Sequence, residues 1–291
     1  MAFFFFMSGF LFYLGADTIS AVAKKLRRRI NTLLIPFLLW QVIVFVLYKI
    51  LRPENYPSER NILDVFFFAP LAGPLWYCAA LLILLLPALI FVLVKNRHVR
   101  ATLMGVVALW FVLRSFGLVP AVFSFERWWW YENMLWYAPV FLAGAIIAVE
   151  CPALLLRENY ANGLTAALGL VMIMGTELAW TRWEYTRYYL LYAVIELVGV
   201  WLLVRSKHFT RKPPAFYSAG FYIFALHNPI LVPMFNDYTR SILKDVPLDG
   251  FTLLLLKLLA IVVIVLISIL AKYICERIFS RPISAALTGG R

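Results

Sequence analysis

Residues 251–275 read FTLLLLKLLAIVVIVLISILAKYIC, an apolar run interrupted by two lysines, Lys257 and Lys272. A single α-helix needs about 17–25 predominantly apolar residues to cross the hydrocarbon core of a bilayer. The run satisfies that length, so it is predicted to be a transmembrane helix. The same property recurs along the rest of the chain.

The composition of the whole chain indicates a membrane protein. Of its 291 residues, 64% are hydrophobic and 14% are charged, whereas soluble domains have about 45–50% apolar and about 25% charged residues. A soluble fold of this size could not bury so much apolar surface, but a bilayer solvates it. We therefore predict an all-α fold, a polytopic bundle of transmembrane helices.

Nine apolar stretches are predicted to span the bilayer, and the connections near 52–72 and 235–250 are too short to hold a soluble domain. Residues 1–291 are therefore predicted to form a single transmembrane domain. The predicted spans are residues 2–16, 30–51, 73–94, 101–118, 134–149, 163–181, 188–204, 215–234 and 251–275.

The distribution of Lys and Arg predicts the orientation of these spans. The net charge is +12, and alternate loops on one side carry more than twice as many Lys and Arg residues as those on the other. Cytoplasmic loops carry this excess, so the C-terminus is predicted to be cytoplasmic. Because the basic residues lie in short runs between apolar segments, no nucleic acid partner is predicted.

The first span has no basic residues before it. Met1 leads directly into Ala2 and Phe3–Phe6, so the segment lacks the basic n-region of a signal peptide. The charge alternation places this end outside the cytoplasm, and the span is short. We therefore expect that a preceding helix is missing from this sequence, and that adding it would give ten helices with both ends inside.

The cysteines and histidines predict no metal site. Cys78, Cys151 and Cys275 lie far apart and form no CxxC pair, and the three histidines show no HExxH spacing. Space-filling is the simplest role for the three thiols.

His227 lies near the middle of the eighth predicted span, in the segment Tyr222–Pro229. One interpretation is a packing histidine hydrogen-bonded to a neighbouring helix. The other is a group that transfers a proton or binds substrate, because a neutral imidazole can do so without a buried fixed charge. Pro229 frees a backbone carbonyl one turn earlier, which is typical of a helix that lines a cavity.

Glu196 lies in the middle of the seventh predicted span. An ionised carboxylate at that depth is costly, so it is expected to be protonated, paired or near water. His227 and Lys257 are both candidate partners, and a structural and a functional pairing remain open.

The run Lys24–Arg29 immediately precedes the second predicted span. If the run only anchors the chain at the lipid headgroups, no further role is needed to explain it. Alternatively, its arginines hold an anionic cofactor such as a nucleotide phosphate at the cytoplasmic face.

Aromatic residues cluster in the predicted outer loop 125–133, which reads FERWWWYEN. Three adjacent tryptophans are typical of an interfacial belt. They also suit stacking on sugar faces, in which case Glu126 and Glu132 would hydrogen-bond sugar hydroxyls.

Five stretches together resemble the acyltransferase 3 family of integral membrane O-acyltransferases. Their order and spacing, more than any one of them, carry the resemblance. They are FFFMSGFL at Phe4–Leu11, RRRINTLLIPF at Arg27–Phe37, LWY at Leu75–Tyr77, YIFALHNP at Tyr222–Pro229 and Glu276-Arg277 at the end of the last span.

The resemblance implies a bacterial inner-membrane enzyme of about ten helices. Such enzymes transfer an acetyl group, typically from acetyl-CoA, to a hydroxyl of a cell-surface glycan or lipid-linked sugar. It implies an acyl-CoA donor that is a substrate rather than a permanently bound cofactor, and a glycan or glycolipid acceptor. Arg28 and Arg29 are then expected to bind the donor phosphates, while Trp76, Glu132 and His227 line the pocket.

The sequence departs from the family pattern in two places. The family's catalytic histidine and a preceding arginine lie on its first helix, and this chain begins at what resembles the second. His227 matches a different family position. Thr32 stands where a second arginine is often found.

Two other classes of protein remain as alternatives. A transporter or flippase for a lipid-linked saccharide would use Glu196, His227 and Lys257 as a proton relay, although the sequence shows none of the inverted repeats common in transporters. A non-catalytic, truncated membrane protein is the third possibility.

Overall fold

The computed structural model describes residues 1–51, 75–85, 91, 93–119, 129–156, 163–180, 185–204, 219–244 and 250–288. Regular secondary structure within these residues is entirely helical, which confirms the predicted all-α fold.

Thirteen α-helices and two π-helical turns follow one another in the described part of the chain. They are α1 (Ala2–Tyr13), α2 (Ile19–Arg29), the turn π1 (Ile30–Leu34), α3 (Ile35–Leu51), α4 (Trp76–Leu85), α5 (Arg97–Ser115), α6 (Trp129–Glu150), α7 (Ala153–Leu156), α8 (Gly163–Trp180), α9 (Tyr185–Val204), α10 (Gly220–Leu226), the turn π2 (His227–Leu231), α11 (Val232–Ile242), α12 (Gly250–Ile278) and α13 (Arg281–Thr288).

Each of the nine predicted spans overlaps at least one of these helices. Two continuous helical segments, Ile19–Leu51 and Leu255–Ile278, are long and apolar enough to cross a membrane, and five further apolar helices are shorter. The side chains of α12 are mostly exposed, as expected where an apolar helix faces lipid. The number of membrane crossings stays a prediction.

The basic run is helical, although the sequence analysis placed it in a connection between spans. Helix α2 begins at Ile19 and continues through π1 into α3. Its Ala, Lys, Leu and Arg residues all have high helix propensity, so polarity alone does not interrupt the helix. Arg27, Arg28 and Arg29 form its last turn.

The described residues form two compact units. The first comprises Met1–Leu26 and Ile83–Lys212. In it, α6 packs against both α1 and α5, and α8 packs against α9. The rings of Phe5 and Tyr137 stack with their centroids 4.8 Å apart, which joins α1 to α6 by an aromatic contact.

Two glycines let the backbones of α1 and α6 touch. A Cβ atom on Gly9 would lie 2.0 Å from the carbonyl oxygen of Phe141, and one on Gly144 would lie 2.1 Å from the carbonyl oxygen of Phe6. Small residues permit such close helix crossings in membranes, where van der Waals packing drives association. Gly9 belongs to the FFFMSGFL stretch, and the close approach of α1 and α6 explains why a glycine stands at this position.

The second unit comprises Arg27–Leu82 and Pro213–Arg291. Here α10 packs against α12, and α3 packs against both π2 and α13. The indole ring of Trp40 meets the fully buried ring of Tyr222 edge-on at 5.2 Å. This contact joins α3 to α10, the helix that leads into His227.

Candidate functional site

His227 is the first residue of π2, and its ring is held by its own helix. The Nδ1 atom lies 3.0 Å from the carbonyl oxygens of both Ile223 and Phe224. A carbonyl oxygen only accepts hydrogen bonds, so Nδ1 carries the hydrogen and donates it. In the neutral ring, Nε2 is then the nitrogen with a free lone pair, which is the form that accepts a proton from a hydroxyl group.

The local backbone explains why His227 is placed in this way. Pro229 lies inside π2 and has no amide hydrogen, so the regular pattern of helical hydrogen bonds is interrupted there. Single π-helical turns inside α-helices are frequent at functional sites. The proline is evident in the sequence, whereas the π turn and the choice of ring nitrogen are not.

Aromatic contacts bring the start of α4 to the helix of His227. The ring of Phe224 lies 5.7 Å from the His227 ring and 4.8 Å from the Tyr77 ring. Trp76, the neighbour of Tyr77, is largely buried. Two of the five stretches that carry the family resemblance therefore meet in the second unit.

Arg28 and Arg29 end α2, directly before π1. Arg28 is exposed and Arg29 is half-buried. The helix that follows π1, α3, packs against π2, so the arginines are joined through π1 to a helix that contacts the turn of His227. An exposed guanidinium at the end of a helix is available to bind phosphate.

The other predicted site residues are placed differently. Glu132 lies in α6, but its side chain lies outside the described residues, and its role stays a prediction. Glu196 lies in α9 and is half-buried, and its pairing with His227 or Lys257 stays a prediction.

A cationic cap at the end of α1 was not predicted. The Nζ atom of Lys25 donates to the carbonyl oxygens of Phe12 at 2.8 Å and Leu11 at 3.3 Å, and also to that of Leu14. The last carbonyls of a helix lack partners within the helix and carry its negative dipole end, so a cation stabilises them. One member of the basic run thus has a structural role that composition does not reveal.

Two further polar contacts between distant side chains lie in the first unit. Arg100, 5% exposed, donates to Asp17 Oδ1 at 3.1 Å and to the carbonyl oxygen of Ala16 at 3.4 Å. His98 Nδ1 lies 2.9 Å from Glu150 Oε2, which joins the start of α5 to the end of α6. Neither pair was predicted, because the partners are more than 50 residues apart in the chain.

Lys25→Met is expected to lower the free energy of unfolding by about 1–3 kcal/mol, because it removes charge-assisted hydrogen bonds to the end of α1. Lys24→Met makes the same change of charge at an exposed neighbour and is expected to change stability by no more than about 0.5 kcal/mol. Unfolding midpoints of both variants in mixed micelles test this difference. Equal midpoints would contradict the capping role of Lys25.

The described residues offer no metal centre. No group of three or more His, Cys, Asp or Glu side chains among them is arranged to hold a metal ion. The three cysteines are free thiols, with Cys78 buried and Cys151 exposed.

The apolar helices of this all-α fold define an integral membrane protein. His227, whose Nδ1 atom carries the ring hydrogen, is its candidate site for acid–base chemistry. The family model described as an acyltransferase domain matches residues 1–273, and the chain belongs to the acyltransferase 3 family. The predicted family is thereby confirmed, and with it a membrane-embedded acyltransferase fold. No curated protein and no solved structure matches the chain.

Proposed function

We propose that this protein is an O-acyltransferase of a bacterial inner membrane. It transfers an acetyl group from acetyl-CoA to a hydroxyl of a cell-surface glycan or a lipid-linked sugar, and its C-terminus lies in the cytoplasm. Membership of the acyltransferase 3 family supports the class of reaction. The observation that carries the assignment of a site is the His227 ring, whose Nδ1–H bonds leave Nε2 as a proton acceptor.

The proposed reaction moves one proton and one acyl group. Nε2 of His227 takes the proton of the acceptor hydroxyl, and the oxygen attacks the thioester carbonyl carbon. The carbon–sulfur bond then breaks, and the CoA thiolate leaves with a proton returned from the imidazolium. The products are an acetyl ester and free CoA, and the ring is neutral again.

Arg28 and Arg29 bind the phosphates of the donor in this proposal. Guanidinium groups bind phosphate oxygens in bidentate fashion and retain their charge. Trp76 and Glu132 contribute to the pocket, with Glu132 as a hydrogen-bond acceptor for sugar hydroxyls. His227 matches a different position from the family's catalytic histidine, so its role as proton acceptor is proposed on its own geometry.

Replacing either arginine is expected to weaken donor binding. Arg28→Ala and Arg29→Ala should each raise the apparent KM for acetyl-CoA about tenfold, the effect of losing one charge-assisted contact. Transfer of radiolabelled acetyl groups to glycan in native membranes measures this value, with the amount of membrane-inserted protein as a check. Lys24→Ala is the matched control, since it removes one exposed charge from the same helix.

Several outcomes would count against the proposal. An unchanged KM for acetyl-CoA in both arginine variants would show that α2 does not bind the donor. Movement of lipid-linked sugar across the membrane, without donor-dependent acetylation, would favour the flippase alternative.

A further inference from the structure

Helix α13 folds back onto α3 and also contacts π1 and α12. Trp40 Nε1 donates to the carbonyl oxygen of Leu287 at 3.1 Å, and both residues are only 3% exposed. Other side chains of α13 remain exposed, among them Arg281 and Ile283. Among the described side chains of α13, that of Leu287 is the most deeply buried.

The position of Trp40 connects the two ends of the proposed site. Trp40 lies 12 residues after Arg28 in the continuous helix Ile19–Leu51, which is about 18 Å along the helix axis. Its ring also contacts Tyr222, and the helix of Tyr222 leads into His227. Trp40 is therefore on the same continuous helix as the arginines proposed to bind phosphate, and it contacts the helix that leads into the proposed proton acceptor.

The group that accepts the Trp40 hydrogen bond, a backbone amide carbonyl, also occurs in the acyl donor. A pantetheine arm connects the phosphates of CoA to its thioester and carries two amide carbonyls, and the Leu287 carbonyl is also an amide. An indole offers a single N–H donor. One acceptor can therefore replace the other, but both cannot bind Trp40 at once.

We propose that Trp40 Nε1 donates a hydrogen bond to an amide carbonyl of the pantetheine arm of the donor. In the absence of the donor, the Leu287 carbonyl of α13 accepts this hydrogen bond. The inference rests on the proposed function, because its ligand is the CoA donor of that function. Donor binding displaces Leu287 from Trp40, so α13 competes with CoA for the site.

Removal of α13 does not shorten the region that the family model matches. The matched region ends at residue 273, inside α12, so α13 lies wholly outside it. Removing α13 therefore leaves every matched residue in place.

The test measures CoA binding to the purified protein by isothermal titration calorimetry in detergent micelles. A chain ending at Ser280, which lacks α13, is expected to bind CoA about three- to tenfold more tightly, the effect of removing one competing hydrogen bond. Leu287→Ser, which keeps α13 but weakens its anchor, is expected to change affinity in the same direction. Ile283→Ser makes the same substitution at an exposed position of α13 and is expected to leave affinity unchanged.

A second comparison tests Trp40 itself. Trp40→Phe in the shortened chain keeps an aromatic ring but removes the N–H group, so the gain in affinity is expected to disappear. In the full-length chain, Leu287→Cys with Cys78, Cys151 and Cys275 replaced by alanine reports displacement of α13. Its reaction with a maleimide is expected to be faster when CoA is present.

The outcomes separate this inference from the proposed function. Equal CoA affinity in the full-length and shortened chains, with maleimide reaction unaffected by CoA, would overturn the inference and leave the acyltransferase assignment standing. Absence of CoA binding in every variant would overturn the CoA donor and the inference together. If the shortened chain keeps its full gain in CoA affinity after Trp40→Phe, Trp40 does not bind the donor.

Discussion

Gly9→Ala is expected to lower the free energy of unfolding by about 3 kcal/mol or more. The new Cβ atom would lie 2.0 Å from the carbonyl oxygen of Phe141, and no rotamer change can relieve a clash with backbone. Helices α1 and α6 must separate, and the buried contacts between them loosen along both helices. Overpacking of this kind typically costs about 1–3 kcal/mol and sometimes more.

The matched control is Gly105→Ala, in the middle of α5. A Cβ atom on Gly105 has nothing within 4 Å, so the substitution adds no clash. Alanine also favours a helix over glycine by about 1 kcal/mol, although lipid contacts modify that value. The two variants are therefore expected to change stability in opposite directions.

Unfolding midpoints in mixed detergent micelles provide the measurement. Gly144→Ala is expected to act like Gly9→Ala, because its Cβ atom would lie 2.1 Å from the carbonyl oxygen of Phe6. The double variant should cost less than the sum of the two single variants, since both open the same crossing. A Gly9→Ala protein as stable as Gly105→Ala would show that α1 and α6 do not touch in this way.

His227→Asn is expected to reduce kcat for acetyl transfer about 10²- to 10⁴-fold, the usual contribution of a general base. The asparagine amide nitrogen can take the place of Nδ1 and donate to the carbonyl oxygen of Ile223 or Phe224. The substitution therefore retains the local hydrogen bond but removes Nε2, the atom proposed to accept the proton. The apparent KM for acetyl-CoA is expected to change little.

His98→Asn serves as the control for replacing a histidine. His98 lies in the first unit and its side chain is 66% exposed, and it has no role in the proposed reaction. Its kcat is expected to equal that of the unmodified protein. A His227→Asn protein that is folded and transfers acetyl groups at the normal rate would identify His227 as a packing residue.

Much of the fold could be predicted because the relevant information is local. A run such as 251–275 is apolar over a sufficient length, and its backbone hydrogen bonds lie within the run itself, so the helix follows from nearby residues. The family could be predicted for a related reason. The stretches around Gly9, Pro36, Trp76 and His227 keep their order along the chain, and no knowledge of their contacts is needed.

The site could be predicted only in part. His227 is a candidate because a histidine two residues before a proline at membrane depth is costly and uncommon, and its role stays a prediction. The basic run was identified as a group, yet its members have different roles. Lys25 caps α1 through three backbone carbonyls, whereas Arg28 is exposed. The difference depends on where the end of α1 lies, which is a tertiary contact.

The sequence by itself determined the helices, the membrane-protein class and the family, because hydrophobic length and motif order are properties of neighbouring residues. Only the tertiary structure decided that Gly9 and Gly144 form a close crossing and that Trp40 donates to Leu287. Each of these facts depends on distances of a few ångströms between particular atoms, most of them in residues far apart in the chain, and such distances arise only when the helices pack.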